Sequence, residues 1–309
     1  MPTIETYEAP NRLEEALELL AANRGRVRPI AGGTDVLVRL KRGLHPERET
    51  IFLSLKNLSE LHTIAATDPS TDGGGGLRIG AAATMRALES SELVHAHAPV
   101  LADAANKIAS PQVRATATIG GNVANASPAA DTAIPLLLLD AEVETARLQG
   151  GSVITKRTPI ERFFTGPGET TLEEGELITA FHIPAVANGM RFVFNKGGVR
   201  PAMECAVVSV GCGVRLDSGG VVQQARVAFG AVAPTPIRAH AIETHLTGDR
   251  LSNDHIDRAS QLVDDAIQPI DDVRGSAAYR RGLITALLKM ALYELGGTAP
   301  AGEKSGGRA

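Results

Sequence analysis

The stretch Val27-Arg28-Pro29-Ile30-Ala31-Gly32-Gly33-Thr34-Asp35-Val36 reads as a short apolar strand, a glycine turn and the start of a helix. A glycine pair at the end of a strand lets backbone N–H groups approach an anion without Cβ obstruction, and a helix start adds partial positive charge. One such turn is ordinary, because glycine is the default turn residue. The theme returns at Thr118-Ile119-Gly120-Gly121-Asn122, read as a second glycine turn. Two such turns suit a ligand with two phosphates.

Outward from the first turn, Asn11 and Glu14 resemble a capping box opening a helix with Leu13, Ala16, Leu17 and Leu20 on one face, ended by Gly25. Val36, Leu37 and Leu40 continue as a second helix before Gly43. Strands are expected at 50–54, 62–66 and 77–81, with Gly73 to Gly76 as a surface loop. Helices are expected over 84–95 and 100–108. The apolar run 134–139 leads to a hairpin of 142–148 and 152–157 joined through Gln149-Gly150-Gly151. After Pro184 the pattern turns to long β-rich stretches at 191–195, 207–215 and 221–232, followed by helices over 237–246, 254–266 and 276–295. Strands and helices mix without regular βαβ alternation.

A chain of 309 residues with 43% apolar side chains can bury a core and divide into two domains. Lys and Arg number 31 against 35 Asp and Glu, a net charge of −4 that disfavours a nucleic-acid binder. Cys205 and Cys212 form neither a disulfide framework nor the paired spacings of zinc or iron–sulfur ligands, so an iron–sulfur cluster would sit on another chain. Both are expected to pack as small buried thiols. The N-terminus lacks an export signal and no run approaches the ~18 apolar residues of a membrane span, which points to the cytoplasm. No P-loop is present, Gly211-Cys212-Gly213-Val214-Arg215-Leu216 lacks the last glycine of a dinucleotide fingerprint, and the eight histidines are scattered. A metal site on this chain is therefore not expected.

Asp131, after the second glycine motif, reads equally as an acceptor for a ribose hydroxyl and as a helix N-cap. Lys196, at the end of the strand 192–195, could offset negative charge on a reduced cofactor, but a solvated strand-end lysine is the plainer reading.

Assembled, these residues resemble the FAD-binding medium subunit of the molybdenum hydroxylases, the family of carbon monoxide dehydrogenase and xanthine dehydrogenase. The resemblance spans almost the whole chain. It rests on Ile30 to Val36, on Thr118 to Asn122 with Asn125-Ala126-Ser127-Pro128 and Asp131, and on Phe163-Phe164-Thr165-Gly166-Pro167-Gly168. Lys196 to Ala206 and Arg274-Gly275-Ser276-Ala277-Ala278-Tyr279-Arg280-Arg281 extend it.

The resemblance implies an α+β chain: a two-lobed FAD-binding domain of the vanillyl-alcohol-oxidase/p-cresol-methylhydroxylase type over 1–178, then an α+β domain with a three-stranded antiparallel sheet over 179–295. Residues 296–309 read as a disordered tail. It further implies that Ile30, Ala31, Gly32, Gly33, Thr34, Asp35 and Val36, with Thr118, Ile119, Gly120, Gly121, Asn122 and Asn125, hold the pyrophosphate and ribityl regions of FAD. Asp131 would bind the adenosine ribose. Ile108, Leu177 and Ile178 would pack the apolar faces of the cofactor, and Lys196 would sit near the isoalloxazine.

By the same resemblance, the partners are a small subunit with two [2Fe-2S] clusters and a large molybdopterin subunit carrying molybdenum, in a dimer of heterotrimers. Electrons would pass through FAD to an acceptor such as NAD or a quinone, with no acid–base residue on this chain. A freestanding flavin oxidase of the same fold is the alternative. At Ile108 some relatives carry an aromatic residue, and at Glu204 many carry Asp.

Overall fold

The computed structural model describes residues 6–43, 50–68, 75–198, 200 and 203–297. Residues 73, 74 and 298–309, part of the expected glycine loop and tail, lie outside them. The chain divides into two compact units: Met1–Ser127 with Leu139–Ala185, and Pro128–Leu138 with Val186–Ala309.

The first unit opens with β1 (Thr6–Glu8), α1 (Leu13–Ala22), β2 (Val27–Ile30), α2 (Val36–Lys41) and β3 (Ile51–Ser54). These strands form a parallel sheet in the order β1-β3-β2. Helix α1 buries Ala16, Leu17 and Leu20 against Leu53, Leu55, Leu58 and Leu61, as its helical spacing predicts. Its cap differs from the capping-box expectation. Arg12 is the N-cap without a side-chain cap bond, and Glu15, not Glu14, reaches back to the Asn11 N–H at 3.2 Å.

Next come β4 (Ile64–Thr67), β5 (Gly76–Gly80), α3 (Met85–Ser90), α4 (Glu92–His97), α5 (Pro99–Asn106), α6 (Pro111–Arg114) and α7 (Ile119–Ala124). The single helix expected over 84–95 is broken at Ser91, which is extended and accepts the Val94 N–H to start α4. A short polar side chain able to cap competes with helix continuation here. After α8 (Ala133–Leu138), the unit resumes with β6 (Glu142–Gln149), β7 (Ser152–Pro159), β8 (Phe164–Gly166), β9 (Glu169–Thr170) and β10 (Leu177–Pro184). The second sheet runs β4-β5-β10-β6-β7, antiparallel throughout. Gly150 and Gly151, at φ +58° and +81°, form the expected two-residue hairpin turn.

The division between units falls at Ala185/Val186 rather than 178/179. Strand β10 continues unbroken to Pro184, paired to β5 on one side and β6 on the other, so the chain cannot leave the sheet at Ile178.

The second unit contains β11 (Met190–Gly197), β12 (Val208–Leu216), β13 (Val222–Gly230), β14 (Ile237–Arg238), α9 (His240–Leu246), α10 (Asn253–Gln261), α11 (Val263–Ala266) and α12 (Ala277–Gly296). The three long antiparallel strands expected here are joined by β14, so the sheet has four, in the order β11-β12-β13-β14. Helix α9 begins at His240 because Ile237 and Arg238 pair with Phe229 and Ala228. Gly296 closes α12 and Gly297 caps it at φ +66°, so the helix extends into the stretch read as tail.

The segment 128–138 belongs to this unit by packing. Helix α8 lies on Gly211 and Gly230: a Cβ at Gly211 would come 2.6 Å from Leu138 Cδ1, and one at Gly230 3.0 Å from Ile134 Cδ1. Arg226 and Arg238 donate to the terminal carbonyls of Leu138 (2.6 Å) and Leu137 (2.8 Å), closing the C-terminus of the helix. Among the described residues no helix is long and apolar enough to cross a membrane.

Candidate functional site

Strand β2 ends where the Ile30 carbonyl accepts the Leu55 N–H (3.0 Å), and the chain then turns through Ala31 to Asp35 into α2. Gly33 lies at φ +69°, a conformation that a Cβ disfavours. Within the described residues, the N–H groups of Gly32, Gly33, Thr34 and Asp35 donate to no protein acceptor, and Asp35 caps α2 without a side-chain bond. Four successive unpaired amides at a helix start suit an anion with several oxygens.

The second glycine motif is built differently from the sequence reading. Gly120 and Gly121 lie inside α7 rather than in a strand-end turn. Thr118 is the N-cap and its Oγ1 accepts the Gly121 N–H at 3.1 Å; the N–H groups of Ile119 and Gly120 donate to Ala83 (3.0 Å) and Ala81 (2.8 Å). These amides are therefore spent inside the protein. A Cβ at Gly120 would meet the Ala81 carbonyl at 2.6 Å, so this glycine serves close backbone packing. Gly121 is exposed, with only Thr118 Oγ1 near, and Asn122 is half-buried.

The fold brings the two motifs together. A Cβ at Gly32 would lie 1.8 Å from the Thr116 carbonyl oxygen, so the first turn sits directly on the chain leading into α7. Arg39 on α2 donates to Asn125 Oδ1, the C-cap residue of α7, at 2.8 Å. Ile108 lies half-buried in the turn between α5 and α6, followed by Ala109 at φ +43°. Leu177 and Ile178 begin β10 and are both 5% exposed, with Leu177 in the core around α1.

Asp131 and Lys196 lie in the second unit, where Lys196 Nζ donates to Asp131 Oδ2 at 2.7 Å and to the Glu204 carbonyl at 3.1 Å. The Lys196 side chain is 8% exposed and that of Asp131 9%, which overturns the solvated reading of Lys196. Sequence periodicity carries no signal for a partner 65 residues away. The Glu204 side chain is engaged as well. Its Oε2 accepts the Arg200 N–H at 2.9 Å, and its carboxylate lies over Gly198, where a Cβ would require that flexible side chain to move aside. Cys212 is buried, which pushes its thiol up, whereas Cys205 is exposed, against the expectation that both are buried.

On the five-stranded sheet, Glu144 accepts from Thr179 Oγ1 (2.7 Å) and lies 2.8 Å from His182 Nε2 and 3.5 Å from Arg78. The His182 hydrogen bond, opposed by burial and aided by Thr179 and Arg78, holds the Glu144 carboxyl at about 2.

Residues 3–186 match the family described as FAD binding domain in molybdopterin dehydrogenase, and residues 194–295 match CO dehydrogenase flavoprotein C-terminal domain. The chain is 34% identical to the xanthine dehydrogenase FAD-binding subunit of Escherichia coli O157:H7, covering 94% of this chain and 95% of that one. It is 31% identical to the carbon monoxide dehydrogenase medium chain of Hydrogenophaga pseudoflava, covering 93% and 95%. A solved structure of cyanide-inactivated Cu,Mo-CO dehydrogenase superposes with a TM-score of 0.87 at 28% identity, over 97% of this chain and all of that one. The chain belongs to the family of FAD-binding medium subunits of the molybdenum-containing dehydrogenases, and is an oxidoreductase subunit. The turn at Gly32 to Asp35 fits this cofactor, because its amides, unpaired within the described residues, match a pyrophosphate.

Proposed function

We propose that the chain is the flavin-bearing electron-transfer component of a multisubunit molybdenum hydroxylase. In this reading it receives electrons from the [2Fe-2S] clusters of a small partner subunit, fed by a large molybdopterin subunit, and delivers them to an acceptor such as NAD or a quinone. The observation that carries it is the open amide turn from Gly32 to Asp35.

FAD, when bound, exchanges single electrons with one partner and electron pairs with another. This chain's residues bind and orient it. The amides of Gly32, Gly33, Thr34 and Asp35 take the pyrophosphate, with Ile30, Ala31 and Val36 shaping the turn. Thr118 to Asn122 and Asn125 supply the opposing surface through packing rather than through glycine amides. Ile108 and Ile178 line the apolar part, backed by Leu177. The ribose role of Asp131 and the flavin-side role of Lys196 belong to the same proposal. Substrate choice lies with the molybdopterin chain, in keeping with relatives named for xanthine, carbon monoxide and glyceraldehyde. The assembly is proposed to be a cytoplasmic dimer of heterotrimers.

Purification of the native complex, with visible spectrum, metal analysis and subunit masses, tests the proposal. A flavin band with iron and molybdenum across three kinds of chain is the expected result. A yellow single chain, free of metals and active on its own, would replace it with a flavin oxidase.

A further inference from the structure

Arg114, the last residue of α6, connects three elements. Its Nη1 donates to the Ile108 carbonyl at 3.1 Å, its Nη2 lies 3.5 Å from Asn106 Oδ1 at the end of α5, and its Nε lies 2.6 Å from Glu89 Oε2 on α3. The Arg114 and Glu89 side chains are both 11% exposed. Between the bonded carbonyl and α6 lies Ala109, at φ +43°, a left-handed conformation that a Cβ opposes. A non-glycine residue stays there only when its surroundings over-determine it. The planar guanidinium does this with a hydrogen bond from Nη1 to the Ile108 carbonyl while its Nε edge faces Glu89 as an ion pair without a hydrogen bond, an arrangement that the point charge of a lysine cannot copy.

The same short segment continues through Thr116, whose carbonyl oxygen meets Gly32, to the N-cap Thr118. One guanidinium thus fixes the turn carrying Ile108 to the chain that backs the amide turn. We infer that Arg114, anchored by Glu89, is a positioning residue for the flavin site: it holds the strained turn at Ala109 so that Ile108 keeps its place beside the cofactor. This rests on the flavin reading above, and it assigns Arg114 no contact with FAD.

The test uses the full chain, with FAD affinity read by flavin fluorescence and melting temperature read without FAD. Arg114→Lys is expected to weaken FAD binding about tenfold, because the charge opposite Glu89 survives but the hold on the Ile108 carbonyl is lost. Glu89 keeps Arg86 at 3.0 Å, so the variant retains a partner for its carboxylate. Adding Ala109→Gly, which removes the strain the guanidinium works against, is expected to return affinity to within about threefold of wild type. Should Arg114→Lys fail to fold, Glu89→Gln carries the test, with an expected loss of about threefold at unchanged far-UV circular dichroism. An Arg114→Lys chain that binds FAD within about twofold of wild type, or whose loss Ala109→Gly does not relieve, overturns the inference. A wild-type chain that takes up no FAD overturns the flavin reading itself.

Discussion

Gly32→Ala offers a direct test of how the candidate site is assembled. The added Cβ would lie 1.8 Å from the Thr116 oxygen, 2.5 Å from its carbonyl carbon and 3.0 Å from the Ala117 nitrogen, all main-chain atoms. Ordinary contact begins near 3.4 Å, so either the turn or the 116–117 chain must retreat by about 1.5 Å, far beyond what close-packed interiors absorb without strain. The 116–117 chain is not free to move, because the Ala117 carbonyl accepts the Met85 N–H at 2.9 Å and the Ala117 N–H donates to Val113 at 2.7 Å. Overpacking of this kind costs about 1–3 kcal/mol, and a weakened hydrogen bond adds about 1 kcal/mol. At roughly 2–4 °C per kcal/mol for a unit of this size, melting should fall by about 4–16 °C. Thermal denaturation by circular dichroism without FAD measures this, and equilibrium dialysis against FAD measures the accompanying loss of the amide turn. Unchanged melting would refute the close approach of Gly32 to Thr116, and full FAD uptake at reduced stability would refute the amide turn as the phosphate site.

Gly121→Ala separates ligand from fold: the helix-propensity gain of about 1 kcal/mol is opposed by a Cβ only 3.0 Å from the capping Thr118 Oγ1, so stability should change little, while FAD uptake should fall; undiminished uptake would remove Gly121 from the binding surface. Lys196→Met leaves Asp131 in a buried site without its 2.7 Å partner, with an expected loss of about 3 kcal/mol in urea denaturation, partly recovered by adding Asp131→Asn; a loss below about 0.5 kcal/mol would mean that the pair is solvated. Glu144, held at about 2 against its ordinary 4.5, lends stability above pH 4.5 that is lost as pH falls toward 2. Glu144→Gln should therefore flatten acid denaturation in that window, and an unaltered acid profile would count against the His182 and Thr179 hydrogen bonds. A thiol reagent should label Cys205 alone in the native chain and both cysteines after unfolding; native labelling of two thiols would contradict the burial of Cys212.

Much of the local structure was legible because it depends on neighbours in sequence. The spacing of Leu13, Ala16, Leu17 and Leu20 sets the buried face of α1, the Val27 to Ile30 strand matches β2, and Gln149-Gly150-Gly151 marks a hairpin whose glycines alone tolerate positive φ. The glycine motifs and their order also identify the family, and at Gly32 and Gly120 they answer to backbone contacts that tolerate no side chain.

Other features depend on distant partners. The glycine signature at 120–121 looks like the one at 32–33, but Thr118 and the carbonyls of Ala81 and Ala83 take its amides and draw it into a helix. Helix α8 joins the second unit because Gly211, Gly230, Arg226 and Arg238 form its seat, and each lies more than seventy residues downstream of it in the chain. Lys196 reads as a solvated strand end until Asp131 is placed 2.7 Å away. Sequence alone determined most of the local elements and the family, because helix, strand and turn preferences are short-range. Only the tertiary structure decided which amides remain unpaired, which charges are buried and how the units divide, because these follow from contacts between segments that no local pattern records.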